Sequence, residues 1–299
     1  MIDNMRYFED IVRAIDFIED HLKENVTVQD ITSPLGVSSW HFQRIFHQSI
    51  GETIGSYLRR RRLSCAFEEL TTTHNKVIEI ALDYQFGSPE AFSRAFKKEF
   101  EMSPLESRKL RPTKVPFKKP ALHREQVRHI VNEITIQPTF RNVDPFYVVG
   151  VPASFISPLV KRSEYMKCIT EIWQEFRRRE AEIPHRIEGI AVGLIEGIAS
   201  ARHHIHDDLM DYLACIPVSA ISQVPEGLQS RLIPGGKYAV FQSTGYHEQT
   251  QFIVDYVYST WLPQTNHQRT EGMEFTWLDH SVYPLDPQKS RVDYFIPIY

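Results

Sequence analysis

Cysteine is scarce in this sequence. The 299 residues include three, Cys65, Cys168 and Cys215, and none has a CxxC neighbour. An odd number of distant cysteines excludes a disulfide framework and gives no zinc-ligand pattern. No apolar run approaches the roughly 20 residues of a membrane-spanning helix, and the N-terminus MIDNMRYFED has no signal-peptide pattern. These absences predict a cytoplasmic chain with no membrane contact.

Catalytic motifs are also missing. The sequence contains no GxSxG, P-loop or GxGxxG motif, and its thirteen histidines form no recognisable triad. His204 and His206 in ARHHIHDD flank a single residue, as two metal ligands could, but no third ligand follows at a defined spacing. We therefore predict no metal, no cofactor and no enzymatic activity.

Length and charge divide the chain. With 299 residues, 42% of them apolar, it is long enough for two domains that each bury a core. Residues 31–119 contain fifteen Lys or Arg against nine Asp or Glu, a net charge of +6, whereas the whole chain carries −4. A basic block in an acidic chain favours contact with a polyanion. The proline-rich stretch RPTKVPFKKP predicts a linker, so we assign 1–110 to a first domain, 111–125 to the linker and 126–299 to a second domain.

Two stretches fifty residues apart repeat one pattern. SSWHFQRIF from Ser38 and SPEAFSRAF from Ser88 share a serine, two phenylalanines and an arginine at matching positions. Each serine is a favourable N-cap, and each follows a short helical segment and a turn that contains Gly36 or Gly87. A bracing helix, a tight turn and a second helix make a helix-turn-helix motif. The sequence thus predicts an all-α first domain with two such motifs.

Helical spacing separates two faces on each second helix. Phe42 and Phe46 face inward in the first copy, and Phe92 and Phe96 face inward in the second. The outward positions carry residues that can contact DNA: Ser39, Trp40, Gln43, Arg44, Glu90, Ser93, Arg94 and Lys97. Arginine can bind guanine bidentately, glutamine can read adenine, and neighbouring major-groove faces lie about 34 Å apart. Two readers in one chain therefore predict that a monomer binds one DNA duplex.

The segment from Val26 to Arg108 resembles the DNA-binding domain of AraC/XylS-type transcription regulators. The resemblance covers some 80 residues and depends on GVS, the Phe-x-Arg-x-Phe pattern, the Arg62–Leu63 pair, FGSPEAFSRAFKK and a closing SP, all in the same order. It implies that the domain reads DNA through two recognition helices.

The resemblance also assigns roles to individual positions. It implies base reading by Trp40, Gln43 and Arg44 in the first motif, with Arg94 as the counterpart in the second. Four positions depart from the family pattern. Thr32, Glu101 and Ser107 stand where the family usually has Ala, Gly and Tyr, and Pro34 interrupts the first bracing helix.

The second half of the chain has a different sequence pattern, with short strand-like runs in place of long helical ones. Seven short runs predict strands: NEITIQ, FYVVGV, GIAVGLI, YLACIPV, KYAVFQ, MEFTWL and VDYFIPI. Two helical stretches lie between them, SEYMKCITEIWQEFRRREA and TQFIVDYVYSTWLPQ. The order strand, helix, strand, strand occurs twice. We therefore predict an α+β domain of two β-α-β-β modules.

Four of these segments, IPGGKYAVFQSTG, YVYSTWLP, MEFTWLD and RVDYFIPI, resemble GyrI-like effector-binding domains. The resemblance implies a pocket between duplicated modules for lipophilic or cationic molecules, with Glu274 as the cation-binding carboxylate. Aromatic faces attract delocalised cations. The predicted ligand-binding residues are two acids and three aromatics: Glu274, Asp293, Tyr147, Trp173 and Phe241.

Together the two halves predict a sequence-specific transcription regulator, an activator that recruits RNA polymerase and responds to a small organic or cationic effector. Two alternatives stay open for the second domain. It could be a hydrolase in which Glu274 assists the attack of water. It could also be a protein-interaction module that sequesters the regulator, and a pocket collapsed onto its own side chains would favour that role.

Overall fold

The chain divides into two compact units. The computed structural model describes residues 7–109, 118–132, 134–156, 162–196, 209–244, 250–270, 272–279 and 291–299. Unit 1 comprises Met1–Asn132 and Asp255–Gln264, and unit 2 comprises Glu133–Val254 and Thr265–Tyr299. In these ranges, no helix has both the length and the apolar character needed to cross a bilayer.

Unit 1 is helical throughout its described residues. Its first 132 residues form α1 (Phe8–Asp20), α2 (Val28–Thr32), a 3-10 turn (Ser33–Leu35), α3 (Ser39–Ile50), α4 (Ile54–Thr72), α5 (Val77–Asp83), α6 (Pro89–Phe100), α7 (Pro104–Ser107) and α8 (Arg124–Asn132). Helices α2 and α3, and then α5 and α6, are the two predicted helix-turn-helix motifs. The all-α prediction for this region is confirmed.

Local sequence signals determine where these helices start and stop. In the capping box of α2, the Thr27 amide donates to Asp30 Oδ2 at 2.8 Å and the Asp30 amide donates to Thr27 Oγ1 at 3.3 Å. Ser38 and Ser88 cap α3 and α6 by accepting from the amide three residues on. Pro34 removes a backbone donor, so α2 stops early and continues as a 3-10 turn.

The turns of the two helix-turn-helix motifs each contain one left-handed residue, but of different types. In the first motif Gly36 adopts a left-handed conformation with φ 68°. In the second, the left-handed residue is Gln85 with φ 61°, and Gly87, which also lies in this turn as expected, is not left-handed. The Gln85 side chain compensates by donating from Nε2 to the Lys23 carbonyl oxygen at 2.7 Å. A hydrogen bond of this kind offsets part of the backbone strain.

Aromatic packing fixes α6 against α4. Phe92, Phe96 and Phe100 recur every four residues along α6, and all three are fully buried. The Phe100 ring lies 5.0 Å from the ring of Phe67 on α4, and the Phe96 ring lies 5.8 Å from it. This buried face leaves the opposite face of α6 outside the core.

Unit 1 also contains a buried ionic cluster. Glu52 and Lys119 are 0% and 1% exposed, and Lys119 Nζ lies 2.6 Å from Glu52 Oε1. Lys119 Nζ also donates to Thr260 Oγ1 at 2.7 Å, and Arg60 donates to the Ser259 carbonyl oxygen. Buried charges are tolerated when every polar atom finds a partner. The C-terminal segment of unit 1 thus completes the hydrogen bonding of groups far earlier in the chain.

The predicted linker is only partly described. Residues 111–117 lie outside the described residues. Lys119 and Leu122 are buried in unit 1, and α8 follows directly. The sequence placed residues 126–299 in the second domain, whereas the structure groups α8 with unit 1.

Unit 2 is an α+β domain. Its strands are β1 (Thr139–Val143), β2 (Phe146–Ile156), β3 (Ile190–Glu196), β4 (Leu209–Val218), β5 (Gln229–Ile233), β6 (Gly236–Thr244), β7 (Glu274–Asp279) and β8 (Arg291–Pro297). Helix α9 (Arg162–Arg179) follows β2, and α10 (Thr250–Tyr256) follows β6. Helix α10 continues as a π-helix (Val257–Trp261) and α11 (Leu262–Gln264), which belong to unit 1.

The sheet confirms the predicted duplication. All neighbouring strands are antiparallel, in the order β1-β6-β8-β7-β3-β4-β2-β5. From the outside inward, each module contributes its first, third and second strands in that order, and the modules meet where β7 pairs with β3. The two outermost strands are exchanged between the modules. Strand β1 precedes the first module in sequence but pairs with β6 of the second, and β5 precedes the second module but pairs with β2 of the first.

Two strand predictions were wrong. NEITIQ was expected to form a strand, but among its described residues only Ile134 pairs, in an isolated bridge with Ser243. The strand lies further on, at β1, whose residues are mostly exposed. The sequence analysis also missed β5.

The sheet is curled around an aromatic core. Phe275 and Phe295 stack with ring centroids 4.4 Å apart. The ring centroid of Phe146 on β2 lies 5.8 Å from that of Trp277 on β7, although β3 and β4 separate these two strands in the sheet. Such an approach requires the sheet to bend toward this face. The opposite face, which carries alternate residues, is available to the helices.

Candidate DNA-reading surfaces and ligand pocket

Helix α3 presents a polar and aromatic face to solvent. Trp40 is 71% exposed, and Gln43 and Arg44 are exposed beside it. The Arg44 guanidinium lies 5.3 Å from the centre of the Trp40 ring, a cation–π contact. Ser39 is half-buried and its Oγ lies 2.6 Å from Thr32 Oγ1, so it also ties α3 to α2. The face offers a planar donor and an amide, both suited to base edges.

Helix α6 presents a mixed face. Glu90, Arg94 and Lys97 are exposed and Ser93 is half-buried. A hydrogen bond from Ser88 lowers the pKa of Glu90 from its ordinary value, so this carboxylate is ionised at neutral pH. An ionised carboxylate repels phosphates but can accept a hydrogen bond from cytosine N4. This reader therefore combines two cations with one acceptor.

The four consecutive arginines of α4 have different environments. Arg61 Nε and Nη2 each lie 2.8 Å from Glu19, and Arg60 Nε donates to Glu99 at 2.7 Å. Arg62 donates to the Leu22 and Glu24 carbonyl oxygens. Arg59 is exposed. Most of this basic run therefore holds unit 1 together instead of facing a duplex.

In unit 2 a small cavity lies between α9 and the helix-covered face of the sheet. It is lined by Ile169, Trp173, Ile195, Tyr212, Thr250, Thr276 and Leu278. Trp173 Nε1 donates to Tyr212 Oη at 3.0 Å. Gly193 leaves room for the Tyr212 hydroxyl and Thr276, because any side chain there would collide with both. The volume is about 10 Å³, close to the space that one water molecule needs.

Glu274 is buried beside this cavity. It is 0% exposed and lies on β7 two residues before Thr276, so both side chains share the cavity face. Arg269 Nε donates to Glu274 Oε1, and Tyr294 Oη donates to Glu274 Oε2. The remaining guanidinium nitrogens of Arg269 donate to the carbonyl oxygens of Thr270 at 3.2 Å and Gly272 at 3.1 Å. The carboxylate thus has a partner on each oxygen.

The structure brings four of the five predicted ligand residues to one face of the sheet, and three of them lie at or near the cavity. Trp173 lines the cavity and Glu274 lies beside it. Phe241 pairs across the sheet with Tyr294, which pairs with Thr276, so Phe241 is on this face too. Tyr147 shares the face but is half-exposed near the start of β2 and does not line the cavity.

Asp293 is separated from Glu274. It pairs with Trp277 across the sheet, so its side chain points to the face opposite Glu274. Arg291 Nε lies 2.8 Å and Arg141 Nη1 lies 3.5 Å from its carboxylate. The structure therefore pairs Asp293, which is 8% exposed, with these two arginines and does not join it to the pocket.

Sequence reasoning missed four residues of this site: Tyr212, Thr250, Arg269 and Tyr294. Alternation along YLACIPV and VDYFIPI puts the two tyrosines on a definite face, so that signal was available. Arg269 lies in a polar stretch outside the strands, and no pattern marks it. Its role depends on a three-dimensional approach to Glu274.

A larger cavity of about 170 Å³ lies elsewhere in unit 2 and is polar. Its charged lining is internally paired, with Arg231 Nε 2.9 Å from Glu196 Oε1 and Ser154 donating to Asp211. The histidine pair in ARHHIHDD lies outside the described residues. Within the part of the chain that the structure describes, no group of three or more His, Cys, Asp or Glu side chains is arranged to hold a metal.

Comparison with known proteins matches each half separately. The family of integron-associated effector binding proteins (Cass2) matches residues 141–298, and the helix-turn-helix domain family matches residues 31–110. The transcriptional regulator Rob of Salmonella typhimurium is 26% identical over 291 residues, which are 94% of this chain and 95% of Rob.

Two solved structures each resemble one half. An AraC-type regulator from Chromobacterium violaceum is 28% identical with a TM-score of 0.33, over 34% of this chain and 90% of that one. An integron cassette protein from Vibrio cholerae is 16% identical with a TM-score of 0.38, over 56% of this chain and 97% of that one. By the two family matches, over residues 31–110 and 141–298, the chain belongs to the AraC-type transcription regulators that carry a C-terminal effector-binding domain of the integron-associated, GyrI-like family.

Proposed function

We propose that this chain activates transcription as a monomer that reads an asymmetric DNA site with α3 and α6 and recruits RNA polymerase. The observation that carries the proposal is the exposed face of α3, where Trp40, Gln43 and Arg44 stand out from a helix whose other face is buried. A planar guanidinium and an amide can each bond bidentately to one base. Arg94 and Lys97 on α6 would engage the neighbouring groove and its phosphates.

The test is selection of bound sequences from a random DNA pool, followed by binding of the selected site. Arg44→Ala is expected to weaken binding to that site by about 1–3 kcal/mol and to relax the preference at one base pair. Lys98→Ala is the matched control, since Lys98 is an exposed cation near the end of α6 outside the proposed reading face. It should leave the selected sequence unchanged.

Two results would contradict this reading role. If Arg44→Ala weakens random and selected DNA equally, Arg44 contacts phosphate only. If the pool yields a palindrome and the complex contains two chains, the protein reads DNA as a dimer. Sedimentation of the complex with the selected duplex distinguishes one bound chain from two.

For unit 2 we propose binding of a small organic effector on the face that carries Trp173, Phe241 and Glu274. Aromatic and hydroxyl groups converge there, which is typical of small-molecule sites. The cavity must enlarge to admit a ligand, because it now has room for about one water. Calorimetric titration of the whole protein with candidate effectors, with and without the selected DNA, tests whether ligand and DNA binding are coupled.

The nearly closed cavity favours a second candidate, a module that sequesters the regulator through protein contacts. That function predicts binding to a protein partner with no effector required. Effector-independent association and no calorimetric response to any candidate would favour it. The hydrolase alternative receives no support, because a general base must reach water and Glu274 is buried with both oxygens engaged.

A further inference from the structure

We propose that Arg269 determines the ligand class of this site, by supplying the positive charge that a cationic ligand would otherwise bring to Glu274. The site would therefore take a neutral, largely apolar molecule. This inference rests on the proposed effector-binding function of unit 2.

The first observation is the completeness of the pairing. Glu274 is fully buried and the Arg269 side chain is 8% exposed, so solvent screens their interaction little. One carboxylate oxygen accepts from Arg269 and the other from Tyr294. A second cation approaching this carboxylate would meet a charge that is already balanced, and it would also meet the guanidinium.

The second observation is that Arg269 is held from several sides. Its Nη1 and Nη2 donate to Thr270 and Gly272 carbonyl oxygens, while its Nε serves Glu274. The backbone around it is also fixed, since residue 269 bridges to Ile298 and the Thr270 amide donates to Pro297 O at 3.1 Å. Displacing the guanidinium would leave two part-buried carbonyl oxygens without this donor and the buried Glu274 carboxylate without its cation, which is energetically costly.

The third observation is the chemistry of the remaining lining. Apart from this pair, the cavity is bordered by aliphatic and aromatic groups with three hydroxyls, from Tyr212, Thr250 and Thr276. Hydroxyls can donate to or accept from a neutral ligand. Among the described residues that line this cavity, none has a charged side chain.

The experiment compares two probes of the same shape and opposite charge, tetraphenylphosphonium and tetraphenylborate, by calorimetric titration of the full chain. The measured quantity is the ratio of their dissociation constants, referred to the double variant Arg269→Met/Glu274→Gln, which has no charge at the pair. The wild type is expected to share the ratio of the double variant. Arg269→Met should shift it about tenfold or more toward the cation, and Glu274→Gln about tenfold or more toward the anion.

A matched control is Arg291→Met, which removes an arginine from the ion pair with Asp293 on the opposite face and should leave the ratio unchanged. Circular dichroism and thermal unfolding establish that each variant folds. Where a single variant unfolds because of its unpaired buried charge, the comparison of wild type with the double variant decides alone.

The proposal is overturned if the wild type favours the cation tenfold or more relative to the double variant, since Glu274 would then act as an unbalanced acid. It is also overturned if both ions bind but the single variants shift the ratio in the same direction or not at all; in that case the effector site stands. The inference is likewise overturned if neither ion binds any of these proteins, including the single variants whose pair carries a net charge. The proposed effector site is decided separately, by the calorimetric titration with candidate effectors described above.

Discussion

Glu101 ends α6 in a left-handed conformation, with φ 57°. A residue with a β-carbon adopts this region at a cost of about 1–2 kcal/mol, and glycine adopts it freely but loses more entropy on folding. We expect Glu101→Gly to raise the free energy of unfolding by about 1 kcal/mol, as the balance of the two effects. Urea denaturation followed by circular dichroism measures the change.

The second left-handed residue supplies the comparison. Gln85 has a similar φ, but its side chain donates to the Lys23 carbonyl oxygen at 2.7 Å. Gln85→Gly relieves the same backbone strain but loses that hydrogen bond. It should therefore raise the free energy of unfolding less than Glu101→Gly does. A destabilising effect of Glu101→Gly would show that the strain at this position is already compensated.

The residues of the reading faces were predictable, and the pocket was predictable in part. The helical periodicity and the N-cap at Ser38 are enough to predict that Trp40 and Arg44 are exposed, because these signals are local in the sequence. The resemblance to effector-binding domains indicated Glu274, and strand alternation indicated which of its neighbours share its face. The pairing of Glu274 with Arg269 did not, since it depends on the fold of a segment outside the strands.

Among the elements, α8 has a titratable residue in an unusual place. His129 is 2% exposed, and burial lowers its pKa from 6.5 to about 4. The unfolded chain therefore takes up a proton as the pH falls below 6.5, while the folded chain stays neutral down to about 4. Stability conferred by the neutral ring is present above pH 6.5 and is lost as the pH falls toward 4.

We expect this one residue to lower the free energy of unfolding by up to about 3 kcal/mol between pH 7 and pH 4. His129→Gln removes the titration, so its stability relative to the wild type should improve by that amount over the same interval. Urea unfolding of both proteins at a series of pH values measures it. A constant difference in the free energy of unfolding between the two proteins across this range would mean that His129 takes up its proton at the same pH in the folded and in the unfolded chain.

Elements with strong local signals were predicted well. The capped helices α2, α3 and α6 and the central strands follow capping and alternation in the sequence. The strand β1 was misplaced because alternation in NEITIQ is stronger than in the exposed edge residues that pair with β6. Helix α8 was missed because nearby prolines and basic residues suggested a linker. Edge strands and helices beside such stretches are set by partners distant in sequence.

At the scale of the whole molecule, unit 1 is assembled from distant parts of the chain around Lys119 and Glu52. Lys119→Met should leave Glu52 buried without its closest cation, 2.6 Å away in the wild type. We expect a loss of about 3–5 kcal/mol in the free energy of unfolding. The double variant Lys119→Met/Glu52→Leu should recover much of it, because no charge then remains unpaired.

The neighbouring residue is a matched control for that change. Lys118 Nζ lies 2.7 Å from Glu68 Oε1, but Glu68 is 60% exposed and solvent screens the pair. Lys118→Met should therefore cost about 0–1 kcal/mol. Denaturation of all four proteins under one set of conditions gives the comparison. Equal losses for Lys118→Met and Lys119→Met would mean that burial does not set the strength of these pairs.

The membership of Asp255–Gln264 in unit 1 has a consequence for synthesis of the protein. Ribosomes release a chain from its N-terminus, and domains made of contiguous sequence can finish folding while the rest is still being translated. Here Thr260, which accepts a hydrogen bond from Lys119, emerges 141 residues after it, and Ser259 likewise follows Arg60 by 199 residues. The helical unit therefore completes its hydrogen bonding only after strands β1 to β6 have been made, so a nascent chain stalled among those strands would expose an incomplete DNA-binding unit.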